Sequence, residues 1–233
     1  MCLIKKRGFG HVEAVLTLVI FIAFIIFAFI FFNPFRTNRT LTSTLDYSWR
    51  EIDNYIKEDV DSYSVFFGPN APLIITLAIP GAPIKSASVI DSSGNVINHF
   101  NNNMGVHFSK PADNFVVLQY SSNFSVGDFS VVGSLIPQAD YIISSSESEK
   151  VVFEDKILAL NKTYFSNYIA IKNQFNLPNR VEFGFVVQFS DGFKISALKD
   201  IPSGLEIQSK RDKIEVIRSS GKRDYAEVIV QVW

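Results

Sequence analysis

The sequence predicts an α+β protein in which an N-terminal transmembrane helix and an amphipathic stem helix lead into an antiparallel, β-rich, sandwich-like body that carries one further amphipathic helix. Three observations support this fold class. The 19 residues from Ala14 to Phe32 carry no charge, and at about 1.5 Å each such a run crosses a bilayer core of about 30 Å. Two later segments repeat apolar residues at helical spacing. Most of the remaining chain alternates between apolar and polar residues, as strands do.

The N-terminal region divides into a short basic leader, residues 1–8, and the predicted transmembrane helix, residues 9–35. Lys5, Lys6 and Arg7 precede the apolar run, and basic residues that flank a spanning helix stay on the cytoplasmic side. We therefore expect a single-pass protein of the cell membrane with a cytoplasmic N-terminus and an extracytoplasmic body. A secretory signal peptide fits poorly, because its apolar region is about 7–15 residues long.

The stem helix is predicted over residues 42–62, because apolar residues recur there at steps of four, three, four and four: Leu45, Trp49, Ile52, Ile56 and Val60. This spacing is typical of one face of a helix. We expect the stripe to pack on the body, and packing between subunits is the alternative use of the same surface.

The body is predicted as a β-rich lobe over residues 63–140, a linker with an amphipathic helix over residues 141–177, and a hairpin-rich lobe over residues 178–233. Alternating runs interrupted by turns indicate hairpins around Gly94, Gly192 and Gly221. The serine- and glutamate-rich stretch of residues 144–149 is the predicted linker. A single helix is expected from Ile157 to Phe175, where the apolar steps are three or four residues.

Composition narrows the function classes. The formal charge is −1 and basic runs are short, so no nucleic-acid partner is expected. Cys2 is the only cysteine, so the body has no disulfide and depends on its core. His99 and His107 flank a polar loop and are expected to be exposed. With Asp91 or Asp113 they match no zinc-binding spacing. We predict no metal, no cofactor, no catalytic residues and no enzymatic activity.

The N-terminal pattern resembles the class III signal peptide of type IV prepilins and of archaeal pilin-like proteins, over about residues 1–35. Three cations are followed by Gly8, then Phe9, and Glu13 stands five residues after the glycine. The resemblance implies that a prepilin-type peptidase cuts between Gly8 and Phe9. It also implies that Glu13 serves assembly by pairing with the Phe9 ammonium of a neighbouring subunit. The implied partners are membrane lipid, the prepilin peptidase, pilus-type assembly machinery and further copies of the chain.

The same residues permit a plainer interpretation, in which the chain stays uncut and Glu13 marks the cytoplasmic edge of the helix, paired with Lys6 or Arg7. A carboxylate at that end of a membrane helix costs less than the about 2.5–3.5 kcal/mol of one at its centre. Removing the leader creates a new ammonium, and two charges buried together cost less than one.

Three Asn-x-Ser/Thr sequons occur, and an outward body would expose them to glycosylation. Asn38 and Asn123 are the candidate sites, whereas Asn161 falls on the predicted second helix. The function that agrees best with these observations is a membrane-anchored, pilin-like surface subunit with a structural or adhesive role. The alternatives are an uncut single-pass surface protein whose β-domain binds a ligand or partner, and a tethered surface hydrolase.

Overall fold

The structure is a computed structural model that describes residues 9–31, 35–82, 85–125 and 127–233. The chain divides into two compact units between Ser43 and Thr44. Residues 44–233 form one unit, so the two predicted lobes belong to the same compact body. The fold is α+β, as predicted, with an apolar helix near the N-terminus and a large mixed β-sheet in the body.

Helix α1 spans Phe9–Phe31, within the predicted segment of residues 9–35. Its stretch Val12–Phe29 is long and apolar enough to cross a membrane, and none of it is buried inside the chain. Isoleucine, phenylalanine, leucine and valine cover the helix on all sides. A helix that is apolar all round occurs in a protein core or in a membrane.

Helix α2 spans Phe35–Ile56, and its buried side chains include Leu45, Ile52 and Ile56. The predicted stem helix of residues 42–62 is therefore wrong at both ends. Strand β1 begins at Lys57, and Val60 belongs to it rather than to the helical stripe. A step of four residues leads from Ile56 to Val60 and continues the helical pattern. However, β1 pairs with both β7 and β9, and these backbone hydrogen bonds determine its conformation.

The strands of the body are, in chain order, β1 (Lys57–Phe67), β2 (Ile74–Leu77), β3 (Ser86–Ile90), β4 (Val96–Ile97), β5 (His99–Asn102), β6 (Gly105–Ser109), β7 (Phe115–Ser121), β8 (Ser134–Leu135), β9 (Tyr141–Phe153), β10 (Phe183–Phe189), β11 (Lys194–Ala197), β12 (Gln208–Ile217) and β13 (Arg223–Val232). In the described residues they form a nine-stranded sheet of order β11-β10-β13-β12-β9-β1-β7-β3-β4 and a four-stranded sheet of order β5-β6-β2-β8. The predicted antiparallel pairing holds except for β9 with β12 and β2 with β8, which are parallel.

The three predicted hairpins are confirmed: β3–β4, β10–β11 and β12–β13 are antiparallel pairs joined by short turns. Gly94, Gly192 and Gly221 lie in these turns with φ of 82°, 87° and 81°. A side chain is disfavoured in this left-handed region, which explains why glycine ends each alternating run.

The predicted linker at residues 144–149 is wrong, because these residues lie within β9, which pairs with β1 along most of its length. The polar composition that indicated a linker has another cause. Residues 142–148 are exposed, so serine and glutamate cover a strand that has few core contacts.

The predicted helix from Ile157 to Phe175 is two helices, α3 (Glu154–Ser166) and α4 (Tyr168–Gln174). Asn167 separates them with φ −152° and ψ 66°, and its side chain accepts a hydrogen bond from the Ala170 amide at 3.2 Å. This is a helix N-cap, which the apolar spacing alone does not reveal. The apolar stripe, which includes Ile157, Tyr164 and Phe175, is buried except for the half-buried Tyr168.

Three apolar clusters hold the described body together, and the smallest contains Val60, Phe124 and Phe153. In the first, α2, α3 and α4 cover strands β10 to β13. In the second, the four-stranded sheet contributes Ile75, Leu77 and Phe108, which pack with Val65 and Leu118 of the nine-stranded sheet. The opposite face of β1, β7 and β9 carries Ser62, Ser64 and their strand neighbours, and it includes an open groove.

Candidate functional site

The residues implied in processing and assembly lie at the start of the chain. Gly8 is outside the described residues, and Phe9 is the first residue of α1. Glu13 is one helical turn further along α1, so it lies on the same face as Phe9. Thr17 follows on that face, and its hydroxyl donates a hydrogen bond to the Glu13 carbonyl oxygen at 2.8 Å.

Glu13 is exposed, and it is the only Asp, Glu, Lys or Arg in the sequence of α1, which also contains His11. The helix around it presents apolar side chains with most of their surface uncovered, such as Leu18, Phe21 and Phe24. Water is a poor solvent for a surface of this kind. The geometry therefore places one carboxylate near the end of a long apolar helix with an uncovered surface.

The candidate glycosylation sites differ in their surroundings. Asn38 lies on α2, with its side chain outside the described part of the chain. Asn123 follows β7 and is half-buried, and its Nδ2 donates to the Glu58 carboxylate at 3.2 Å. The next residue, Phe124, is buried against Phe153, with ring centroids 5.4 Å apart. Because Nδ2 is the atom that would carry a glycan, modification of Asn123 requires this turn to open.

Glu58 connects that turn to α3. Its carboxylate lies 2.9 Å from the Lys156 ammonium and accepts a hydrogen bond from the Ser122 hydroxyl at 3.3 Å. The hydrogen bond from Lys156, with smaller contributions from Ser122 and Asn123, lowers the pKa of Glu58. Asn123 therefore has a structural role that the sequon pattern does not indicate.

The two histidines of the polar loop are buried, so the expectation that they are exposed is wrong. His99 lies in β5, and its Nδ1 donates to the Ile97 carbonyl oxygen at 2.8 Å. His107 lies in β6 with no exposed surface, and its Nδ1 is 2.7 Å from the Thr76 hydroxyl. His99 lies on the same sheet face as its strand partner Phe108, whereas His107 lies on the other face with Thr76 and Phe100. Both rings are therefore covered, but on opposite sides of the sheet.

The hydrogen-bond network assigns the tautomer of His107. The single hydroxyl hydrogen of Thr76 is donated to the Gly133 carbonyl oxygen at 2.7 Å, so Nδ1 of His107 carries the proton and donates to Thr76. Its Nε2 is buried with no partner in the described structure. Burial lowers the pKa of His107, because the protonated ring would lose its hydration.

The two aspartates considered as metal ligands serve turns instead. Asp91 accepts hydrogen bonds from the Ser93 and Asn95 amides at 2.9 and 2.8 Å. The Asp113 carboxylate is hydrogen-bonded to the Ser92 hydroxyl. Among the described residues, no three histidine, cysteine, aspartate or glutamate side chains are grouped so as to hold a metal ion.

The largest ionic cluster of the body is centred on Arg218, which lies in the turn between β12 and β13. Its guanidinium contacts Glu154, Asp191 and Asp224 at 3.1, 3.2 and 3.3 Å, and it lies 4.1 Å from the ring centroid of Phe189. These contacts tie the turn to α3 and to the β10–β11 turn. Every charge at this place has a partner, so the cluster is a structural one.

No family model, no curated protein and no solved structure matches this chain. The chemistry of its own residues is therefore the basis for assigning a function.

Proposed function

We propose that this protein is a membrane-anchored, outward-facing, pilin-like surface subunit with a structural or adhesive role. A prepilin-type peptidase removes residues 1–8 before Phe9, and the chain then assembles with further copies through α1. The observation that carries the proposal is the uncovered apolar helix α1 with Glu13 as its only acid, at the fifth position from the cut.

The physical argument concerns what surrounds Glu13 after assembly. A packed bundle of α1 helices buries its apolar surface and takes Glu13 out of water. A lone buried carboxylate is costly, but cleavage creates an ammonium at Phe9, and the two charges together cost much less than either one alone. An uncut chain has no such ammonium, which explains why cleavage would precede assembly.

The same proposal places α1 in the membrane before assembly. The stretch Val12–Phe29 is long enough to cross the hydrocarbon core, and Glu13 then lies at its cytoplasmic end, where a charge reaches the headgroup region. Lys5, Lys6 and Arg7 favour the orientation in which the body lies outside.

The experiment that tests the proposal replaces Glu13 by glutamine. Removing one partner of a buried ion pair costs about 3–5 kcal/mol because the other charge is left alone. Glu13→Gln should therefore insert into the membrane and be cleaved normally, but it should be lost from filaments sheared off the cell surface, or from cross-linked oligomers if the assembly is short. Thr17→Ala is the matched control, because it removes a polar group from the same helix face without leaving a charge unpaired.

The comparison is made on cleaved protein, since the Phe9 ammonium does not exist earlier. If cleaved wild type forms no oligomer, or if Glu13→Gln assembles as well as wild type, the subunit proposal is wrong. The chain would then be a monomeric, membrane-tethered β-domain.

A further inference from the structure

The outward face of strands β9, β1, β7 and β3 carries a groove of about 440 Å³. On β1, Tyr63 and Val65 belong to the core side, so Ser62, Ser64 and Phe66 point to the opposite face. The same face continues onto the neighbouring strands, because Ser62 pairs with Gln119 on β7 and with Glu147 on β9. The volume falls within the range of about 300–1,000 Å³ that is typical of small-ligand sites.

A buried amide forms the floor of the groove. Gln119 lines the groove although only 3% of the residue is exposed. Its Nε2 donates to the Ser62 hydroxyl at 3.3 Å, and its Oε1 has no partner among the described residues. An unpaired buried acceptor is costly, about 1–3 kcal/mol, so a site that supplies it with a hydrogen-bond donor gains free energy.

The walls carry an excess of carboxylates. Glu147 is exposed, and its carboxylate forms no hydrogen bond or ion pair within the described structure. Glu149 and Arg223 also line the groove and pair with each other, and Arg223 contacts Glu215 as well at 3.2 Å. The cation is therefore already engaged, and the free carboxylate of Glu147 accepts hydrogen bonds. Such a site favours hydroxyl donors and disfavours anions.

One end of the groove is apolar. Phe115 lines it, and its ring lies 4.7 Å, centroid to centroid, from the ring of Phe66. Phe66 is 47% exposed, and Ile142 is its neighbour across the β1–β9 pair. Phe66, the half-buried Phe115 and Ile142, which is 70% exposed, therefore form a small apolar patch beside the polar groups of the groove.

We propose that this groove binds a neutral sugar unit of a glycan. A pyranose ring presents a face of carbon–hydrogen bonds and an edge of hydroxyl groups. The Phe66–Phe115 shelf suits the apolar face, because aromatic side chains bury large apolar area. The hydroxyl edge of the sugar would face three neighbouring polar side chains. These are the carboxylate of Glu147, the hydroxyl of Ser62 and the amide of Gln119, which can accept or donate hydrogen bonds.

This inference goes beyond the proposed assembly and does not depend on it. The groove lies on the body, so sugar binding is measurable whether or not the leader is cut and whether or not filaments form. Failure of one proposal leaves the other standing.

The experiment uses the full chain in a zwitterionic detergent, because detergents with sugar headgroups would compete. The probes are methyl glycosides of glucose, galactose, mannose and N-acetylglucosamine, with glucuronate as the anionic comparison. Binding is followed by saturation-transfer NMR and calorimetry. We expect at least one neutral glycoside to bind and glucuronate to bind more weakly.

The variants Glu147→Gln and Phe66→Ala change exposed side chains, so they should melt like wild type while losing at least tenfold in affinity. Asp200→Asn and Phe165→Ala are matched controls, an exposed acid and an exposed aromatic residue elsewhere on the body, and they should bind like wild type. Three results would each overturn the proposal: none of the neutral glycosides binds, the two groove variants bind unchanged, or glucuronate binds at least as tightly. Concentration-dependent self-association that Glu147→Gln abolishes would instead assign the face to contact between copies.

Discussion

The docking of helix α2 on the body is testable by truncating Ile52. This side chain is 2% exposed and belongs to the cluster that α2 shares with strands β10 to β13. Ile52→Ala removes three carbon atoms from a site bounded by Trp49, Ile214 and Val228. The variant asks whether residues 44–56 are an integral part of the core or only a connecting segment.

The expected cost follows from the surroundings of Ile52. Truncation of a buried isoleucine to alanine costs about 2–5 kcal/mol, depending on how far the site collapses. A small gap of about 10 Å³ already lies beside Ile52, and its lining is almost entirely apolar. Water gains no partners in an enlarged apolar cavity, so the cavity stays empty. We therefore expect about 3–5 kcal/mol, the upper part of the range, which for a body of this size lowers Tm by roughly 6–20 °C.

The assay is thermal unfolding of the full chain in detergent, followed by near-ultraviolet circular dichroism. Ile52→Val should cost only about 0.5–1.5 kcal/mol, because it removes a single methyl group. Asn54→Ala, at an exposed position of the same helix, should leave Tm unchanged or slightly higher. If Ile52→Ala melts like Asn54→Ala, α2 does not contribute to the core and the described packing is wrong.

Four further outcomes are expected. Because burial lowers the pKa of His107, the unfolded chain takes up a proton at a higher pH than the folded chain. The free energy of unfolding should therefore keep its full value above the pKa of the unfolded chain. It should fall between pH 7 and pH 5 by at most about 1.4 kcal/mol per pH unit. An equally steep fall in denaturant melts of His107→Gln would contradict this. Lys172→Met should lower the free energy of unfolding by about 1–3 kcal/mol in the same melts. The reason is that the buried ammonium donates hydrogen bonds to the Glu182 carboxylate and the Asn179 carbonyl oxygen, both at 2.9 Å. An unchanged midpoint would show that these bonds add nothing to stability. Gly8→Leu should leave the leader attached on immunoblots, because a bulky side chain beside the scissile bond obstructs the peptidase, and normal cleavage would argue against a cut at this bond. Protease added to intact cells should digest the chain beyond about residue 38, and protection until lysis would reverse the topology.

Local signals predicted those parts of the fold that local chemistry determines. The sequences Asp191-Gly192 and Ser220-Gly221 predict turns, because glycine adopts the positive φ that each turn needs. Burial of Ile157 and Tyr164 follows from their helical spacing. These features need no knowledge of distant residues.

Features determined by distant partners were missed. Val60 continues a helical stripe in the sequence, and only the pairing of β1 with β7 and β9 makes it a strand residue. Residues 144–149 resemble a linker because β9 is exposed there, although all of them except Ser144 pair with residues of β1. His107 looks exposed beside three asparagines, until β6 turns its ring toward Thr76.

The groove was also beyond sequence reasoning. Ser62, Gln119 and Glu147 are separated by long stretches of chain, and the strand register alone brings them into one row. The alternation of β1 indicates which of its residues share a face, but it does not indicate which strands lie beside it. Glu13, in contrast, could be singled out from the sequence, because its position relative to Gly8 is a local pattern.

The most direct test of the proposed function is the N-terminus of the mature protein. Protein isolated from membranes or surface filaments of its native host is analysed by N-terminal sequencing and intact mass. The proposal predicts that the chain begins at Phe9, with the mass of residues 1–8 missing. A mature chain that begins at Met1, or at any residue other than Phe9, would contradict it, because the ammonium that pairs with Glu13 would then be absent or in the wrong place.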